Sequence, residues 1–132
     1  MIEIYLDENL SEYVADALNS LNKGYFKDIY VHSTKTKFGK GEVDEVIIPT
    51  IGKTGGIIIT RDLNIQRTRL QCNLCKQYNL GVFFIKLPKG MDKHWEIVKL
   101  LISSWEEIIS KISSEKRPFA YEIPLRGKFK KY

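Results

Sequence analysis

The sequence predicts an α/β fold built on a mostly parallel sheet of four to five strands. Three observations carry that expectation. Short apolar runs alternate with helical spacings in the order β-α-β-α-β-α-β-α-β, and strands joined by helices lie parallel through right-handed crossovers. GGIIIT, residues 55–60, shows no polar alternation, as expected of a strand buried on both faces of a parallel sheet. A long apolar stripe from about Asp92 to Ser113, at spacings of three and four, marks a helix with one buried face.

Taken in order, residues 2–6 (IEIYL) alternate as the first strand. Asn9-x-x-Glu12 offers a capping box, with Asn9 as N-cap and Glu12 at the third helical position. Leu10, Val14, Leu18 and Leu21 then recur at helical spacing until Gly24 closes the element. Residues 28–32 (DIYVH) form a second short strand, and STKTKFGKGE reads as a polar, Gly-containing loop. Residues 43–53 (VDEVIIPTIGK) fit a short helix, with Pro49 near its first turn or kinking it. After GGIIIT, a helix near 67–79 leads to a fourth strand, VFFIKL, residues 82–87.

The last helix sets Trp95, Val98, Leu101, Ile102, Trp105, Ile108, Ile109 and Ile112 on one face. Such a stripe serves either a partner-binding groove or the protein's own core, and the core is the simpler reading. Residues 119–125 (FAYEIPL) alternate like an edge strand, where Pro124 is tolerable near an edge or an end.

A chain of 132 residues fits one domain, 1–132, long enough to bury a core without staples. With 43% hydrophobic and 28% charged residues the composition is that of a soluble globular protein. No apolar run approaches the roughly 20 residues a membrane span needs, so no membrane partner is expected. The N-terminus opens on a strand pattern with Glu3 and Asp7, unlike a signal peptide, and cytoplasmic residence is the default. Cys72 and Cys75 form one C-x-x-C without a second, and His32 and His94 follow no ligand spacing. On a helix the two cysteines share a face, so two small semi-buried residues explain them more simply than redox or metal chemistry.

The net charge of +5 is unevenly placed. Residues 1–115 carry 15 Lys/Arg and 15 Asp/Glu, so the whole excess lies in residues 116–132. There Lys116, Arg117, Arg126, Lys128, Lys130 and Lys131 stand against Glu122 alone. A basic C-terminal segment meets phosphates, an acidic protein partner, or only water.

Ligands of open parallel sheets bind beyond the C-terminal strand ends. The first strand ends in Asp7-Glu8-Asn9 and the third in Thr60-Arg61-Asp62, while Asp44 and Glu45 open the short helix between them. Carboxylates from three segments at one sheet edge repel unless something positive sits among them. Hard divalent ions such as Mg²⁺ or Mn²⁺ take oxygen ligands and suit a loose ring of acids. Acids with basic surroundings point to phosphoryl chemistry on nucleic acid. Asp7 and Asp62 each follow a core strand, so ligation outweighs a turn role. Asp44 serves equally as a helix cap. Glu8 and Glu45 also suit a helix dipole, and Asn9 reads as an N-cap before a ligand. Arg61, Arg67 and Arg69 sit just beyond these acids, where they would steer a phosphate backbone or simply be solvated. In the C-terminal segment Phe119, Tyr121, Phe129 and Tyr132 offer stacking surfaces for bases, although Phe119 and Tyr121 read first as strand packing.

"YLDEN" with a helix behind it, then "VDEVIIPTIGKTGGIIITRD", then "GVFFIKLP", resembles the PIN-like domains of compact VapC-type toxins. The "W…I…W…I" helix and the ending "YEIPLRGK" extend the resemblance over essentially the whole chain. It implies a Rossmann-like three-layer α/β/α sandwich and a metal-dependent ribonuclease site of clustered acids using Mg²⁺ or Mn²⁺. By position Asp7 resembles the acid after the first strand, Asp44 the acid on the second helix, and Asp62 the acid after the third strand. Many relatives carry a further acid two residues on, where this chain has Asn64, so Glu8 or Glu45 completes the set or the site is weaker. Arg126 and Lys128 match a recurring end of the resembled toxins, for RNA or an antitoxin. The implied partners are RNA and a small antitoxin protein, with a homodimer also in keeping with such toxins.

Two functions of different class follow. One is a metal-dependent endoribonuclease, the toxin of a type II toxin–antitoxin pair. The other is a PIN-like RNA- or protein-binding module that is catalytically weak or inactive, a reading motivated by Asn64. A receiver-type, phosphate-handling α/β domain comes a distant third, because the chain does not supply the lysine and phosphoacceptor arrangement it needs.

Overall fold

In the computed structural model, which describes residues 1–61 and 64–132, strands and helices alternate as expected. The strands are β1 (Ile2–Leu6), β2 (Ile29–Ser33), β3 (Ile57–Arg61), β4 (Gly81–Lys86), β5 (Phe119–Pro124) and β6 (Lys130–Lys131). The helices are α1 (Glu12–Asn22), α2 (Thr34–Phe38), α3 (Asp44–Lys53), α4 (Ile65–Gln77) and α5 (His94–Ser114). The sheet order is β2-β1-β3-β4-β5-β6, parallel throughout except for β6, which runs antiparallel to β5. The described residues thus form six strands rather than four or five.

Side chains alternate across the sheet and feed two separate cores. Ile4, Leu6, Ile57, Ile59 and Phe83 join Val14 and Leu18 of α1 and Leu101, Trp105 and Ile108 of α5. Tyr5, Ile58, Val82 and Phe84 join Ile47, Ile48 and Ile51 of α3 and Cys75 of α4 on the opposite face. Ile57, Ile58 and Ile59 therefore divide between the two cores, which explains why their segment lacks polar alternation. The result is a three-layer α/β/α arrangement.

Several local expectations are corrected. Ser11, not Asn9, caps α1, accepting a hydrogen bond from Tyr13 N–H at 3.1 Å. The polar stretch after β2 contains a helix, α2, capped by the Ser33 hydroxyl. Pro49 lies in the second turn of α3, past the first-turn positions where its missing N–H is harmless. α4 begins at Ile65, before the expected 67, because Asn64 caps it. β5 is not an edge strand, since β6 pairs with it at Tyr121 and Glu122. Its Phe119 and Tyr121 are buried packing residues, as the alternation suggests.

The α5 stripe is narrower than its spacing suggests. Trp105, Ile108, Ile109 and Ile112 are buried, whereas Trp95 and Ile102 are exposed and line a surface groove with Tyr13 and Leu21 of α1. Cys75 is buried and its thiol is pushed up to about 12, chiefly by burial, which keeps it protonated and unreactive.

The strand order decides where a ligand site belongs. From β1 the chain moves to β2 on one side, then returns to β3 on the other side of β1. The C-terminal ends of β1 and β3 therefore bracket the switch point, where connections diverge and leave a crevice.

Candidate active site

Asp7 is the first residue past β1 and lies at that switch point. Its backbone continues the sheet, with Asp7 N–H donating to Ile59 C=O at 3.0 Å, and its own C=O accepts from Leu10 N–H at 2.9 Å. The chain is thus held in ladder geometry through Asp7 before turning. Its side chain is buried, with the residue only 4% exposed. Oδ2 accepts from the Thr60 hydroxyl at 2.8 Å and from Arg67 Nη2 at 2.8 Å. The bond from Arg67 is charge-assisted, the stronger kind of hydrogen bond for a carboxylate held out of water.

Asp44 reaches the same guanidinium from the other side of the crevice. Val43, not Asp44, holds the N-cap position of α3, and Asp44 follows as the first residue of the helix. Its Oδ2 lies 3.5 Å from Arg67 Nε. Burial raises the Asp44 carboxyl above its ordinary value, and the Asp7 charge adds to that rise. Arg67 opposes it, as does a hydrogen bond with the buried Gln71 of α4.

Asn9 belongs to this site and not to the helix start. Its Nδ2 approaches the Thr60 hydroxyl at 3.5 Å, extending a chain from Asn9 through Thr60 to Asp7. Its Oδ1 is buried with no hydrogen-bond partner among the described residues. A buried amide oxygen without a protein donor is a free acceptor that a water, an ion or a ligand can satisfy.

The other expected residues divide. Glu8 Oε2 accepts from Gly41 N–H at 2.8 Å, tying the turn after β1 to the loop before α3. Glu45 is exposed in the first turn of α3. Asp62, the third acid of the expected set, lies outside the described residues. Arg61 turns away from the acids and pairs with Asp92 at 2.9 Å, in a neighbouring cleft of about 530 Å³ that Lys35 and Lys93 also line. Arg67 points inward onto the acids and not outward toward a phosphate backbone. Arg126 and Lys128 are exposed beyond the end of β5, three strands across the sheet from β1. Asn64, where the sequence resemblance leads one to expect an acid, accepts from Arg67 N–H at 2.8 Å and so seats the residue that bridges the pair.

Thr60 escapes sequence reasoning: it looks like the polar end of a strand, and its bond to Asp7 follows only from the pairing of β1 with β3. Arg67 is expected near the acids as a phosphate-steering or solvated residue, and only the fold makes it their counter-charge.

Among the described residues no three His, Cys, Asp or Glu side chains come together as a metal-binding group. The carboxylates of Asp7 and Asp44 converge on Arg67, and the unpartnered Asn9 amide oxygen belongs to a residue bonded to Thr60 beside Asp7; all of these are oxygen donors. That chemistry fits a hard divalent ion, which retains several waters and needs few protein ligands.

Fold and acid pair define an α/β domain with a polar site at the switch point of its parallel sheet. The model of the PIN like domain family matches residues 2–87, and the chain belongs to that family. The matched span holds Asp7, Asn9, Asp44, Thr60, Asp62 and Arg67, and stops before α5. Membership makes the chain a nuclease-type module. No curated protein and no solved structure matches the chain. Among the described residues, no helix is long and apolar enough to cross a membrane.

Proposed function

We propose that the chain is a metal-dependent endoribonuclease acting as the toxin of a type II toxin–antitoxin pair. The observation that carries this reading is the convergence of Asp7 and Asp44, from two separate elements, on one cation at the sheet's switch point. In a nuclease-type family such an acid pair is the natural seat of Mg²⁺ or Mn²⁺, with Asp62, next in sequence after β3, as the third carboxylate. Bound there, the ion would supply Lewis acidity toward water and the phosphodiester. Thr60 holds Asp7 Oδ2 in one orientation, and Asn9 holds Thr60 in turn. A carboxylate of the set orients the attacking water. The resemblance of "YEIPLRGK" to the ending of compact toxins supports a small antitoxin as partner.

The test is cleavage of varied RNAs by the purified protein in EDTA, Mg²⁺ and Mn²⁺, beside Asp7→Asn. Metal-dependent cutting that Asp7→Asn abolishes is the expected result. Uncut RNAs, with wild type and Asp7→Asn indistinguishable, would overturn the proposal.

One observation favours a second reading, a PIN-like binding module with weak or no catalysis. Arg67 already occupies the acid pair and offsets part of its charge. RNA binding that survives Asp7→Asn, without cleavage by the wild type, would select it.

A further inference from the structure

The acid pair holds a cation that belongs to the chain itself. Arg67 donates from Nη2 to Asp7 at 2.8 Å and from Nε toward Asp44 at 3.5 Å, so one guanidinium serves two carboxylates. Asp7 Oδ2 also accepts from Thr60, and a carboxylate oxygen offers two lone-pair directions. Both directions at Oδ2 are therefore taken, and a divalent ion bound through the other carboxylate oxygens would sit beside a like charge. The two cations compete for the same acid pair.

The anchoring of Arg67 suits exchange. Its backbone N–H is fixed by Asn64 in the first turn of α4, so the helix start does not depend on where the side chain points. Its side chain is 30% exposed against 5% for Asp7, which leaves the guanidinium a route to solvent. Asp7 has no such freedom, because Thr60 and the ladder bond to Ile59 hold it.

We propose that Arg67 is a displaceable counter-ion: it occupies the acid pair in the metal-free protein, and a divalent cation must expel it to bind. This rests on the reading of the acid pair as a metal seat.

The test measures Mn²⁺ affinity of the full chain by the electron paramagnetic resonance signal of free Mn²⁺, for wild type, Arg67→Met and Asp7→Asn. Arg67→Met is expected to bind roughly tenfold tighter or more, because the fraction of sites open to the ion rises. Asp7→Asn is expected to lose binding. Equal affinity of wild type and Arg67→Met, with binding lost in Asp7→Asn, overturns the counter-ion and leaves the metal seat standing. Failure of both wild type and Arg67→Met to bind overturns the two together. Should Arg67→Met not fold, the wild type answers through its arginine Nε–H resonances during Mg²⁺ titration. The Arg67 signal moves toward its solvent-exposed position as the Asp7 amide reports saturation; an unmoved signal at saturation overturns the proposal.

Discussion

Arg67 and Asp7 stand sixty residues apart in sequence, yet their side chains meet at 2.8 Å across the end of the sheet. The ion pair joins α4 to β1 and draws in Asp44 from α3, so three elements share one electrostatic unit. A buried carboxylate needs such compensation, since removing one partner of a buried pair leaves the other charge stranded.

Asp7→Asn should therefore change stability as well as activity. The amide keeps a hydrogen-bond acceptor for Thr60 but removes the charge opposite Arg67. Urea unfolding in EDTA should show a loss of about 1–3 kcal/mol. Unchanged stability would mean that the pair contributes nothing net to the fold.

Asp44 predicts a pH dependence of definite sign. Its carboxyl is raised above 3.8 in the folded protein, chiefly by burial, so the folded state holds that proton more tightly than the unfolded chain. Its contribution is fully present below 3.8 and is lost as pH rises through the raised value. Stability measured from about pH 3 upward should fall more steeply for wild type than for Asp44→Asn. A difference that rises with pH would reverse the assignment.

Gly81 opens β4 where a side chain has no room. A Cβ there would run into the buried Phe119 ring on β5. Gly81→Ala must displace that packed ring, and a loss of about 1–3 kcal/mol is expected from overpacking. The urea midpoint reads it, with an unchanged slope confirming that the same fold is being melted.

Trp105 of α5 donates from Nε1 to Asn22 Oδ1 at the end of α1, at 2.8 Å, with both residues buried. Trp105→Phe removes the donor and strands an amide whose Nδ2 already lacks a hydrogen-bond partner among the described residues. A cost of about 1–3 kcal/mol follows. Trp105→Phe combined with Asn22→Leu should recover part of it, and no recovery would assign the loss to packing alone.

Arg126 and Lys128 separate RNA binding from mere solvation. Their segment cannot simply be deleted, because residues 116–132 include β5 with its buried Phe119, Tyr121 and Ile123. Replacing both with Ser should weaken RNA binding at every sequence alike. The log–log salt slope should shrink by about 0.7 for each phosphate that these side chains no longer neutralise. An unchanged slope would leave these residues to solvent or to a protein partner.

The sequence by itself determined the layered α/β fold and the end of the sheet that carries the acids. Periodicity is a local property, and the uninterrupted apolar runs around Ile58 and Phe83 are satisfied by burial on both faces. Asp7 stands out because nothing in a strand or turn requires a carboxylate there. Local ambiguity was decided by tertiary structure: Asn9 could cap α1 or serve the site, and Ser11 took the cap. The same holds for Arg67, whose partners lie 60 and 23 residues away. No spacing along the chain distinguishes it from the exposed Arg69. Only the folded sheet brings β1, α3 and α4 to one crevice, and only there does burial make one arginine the counter-charge of two acids.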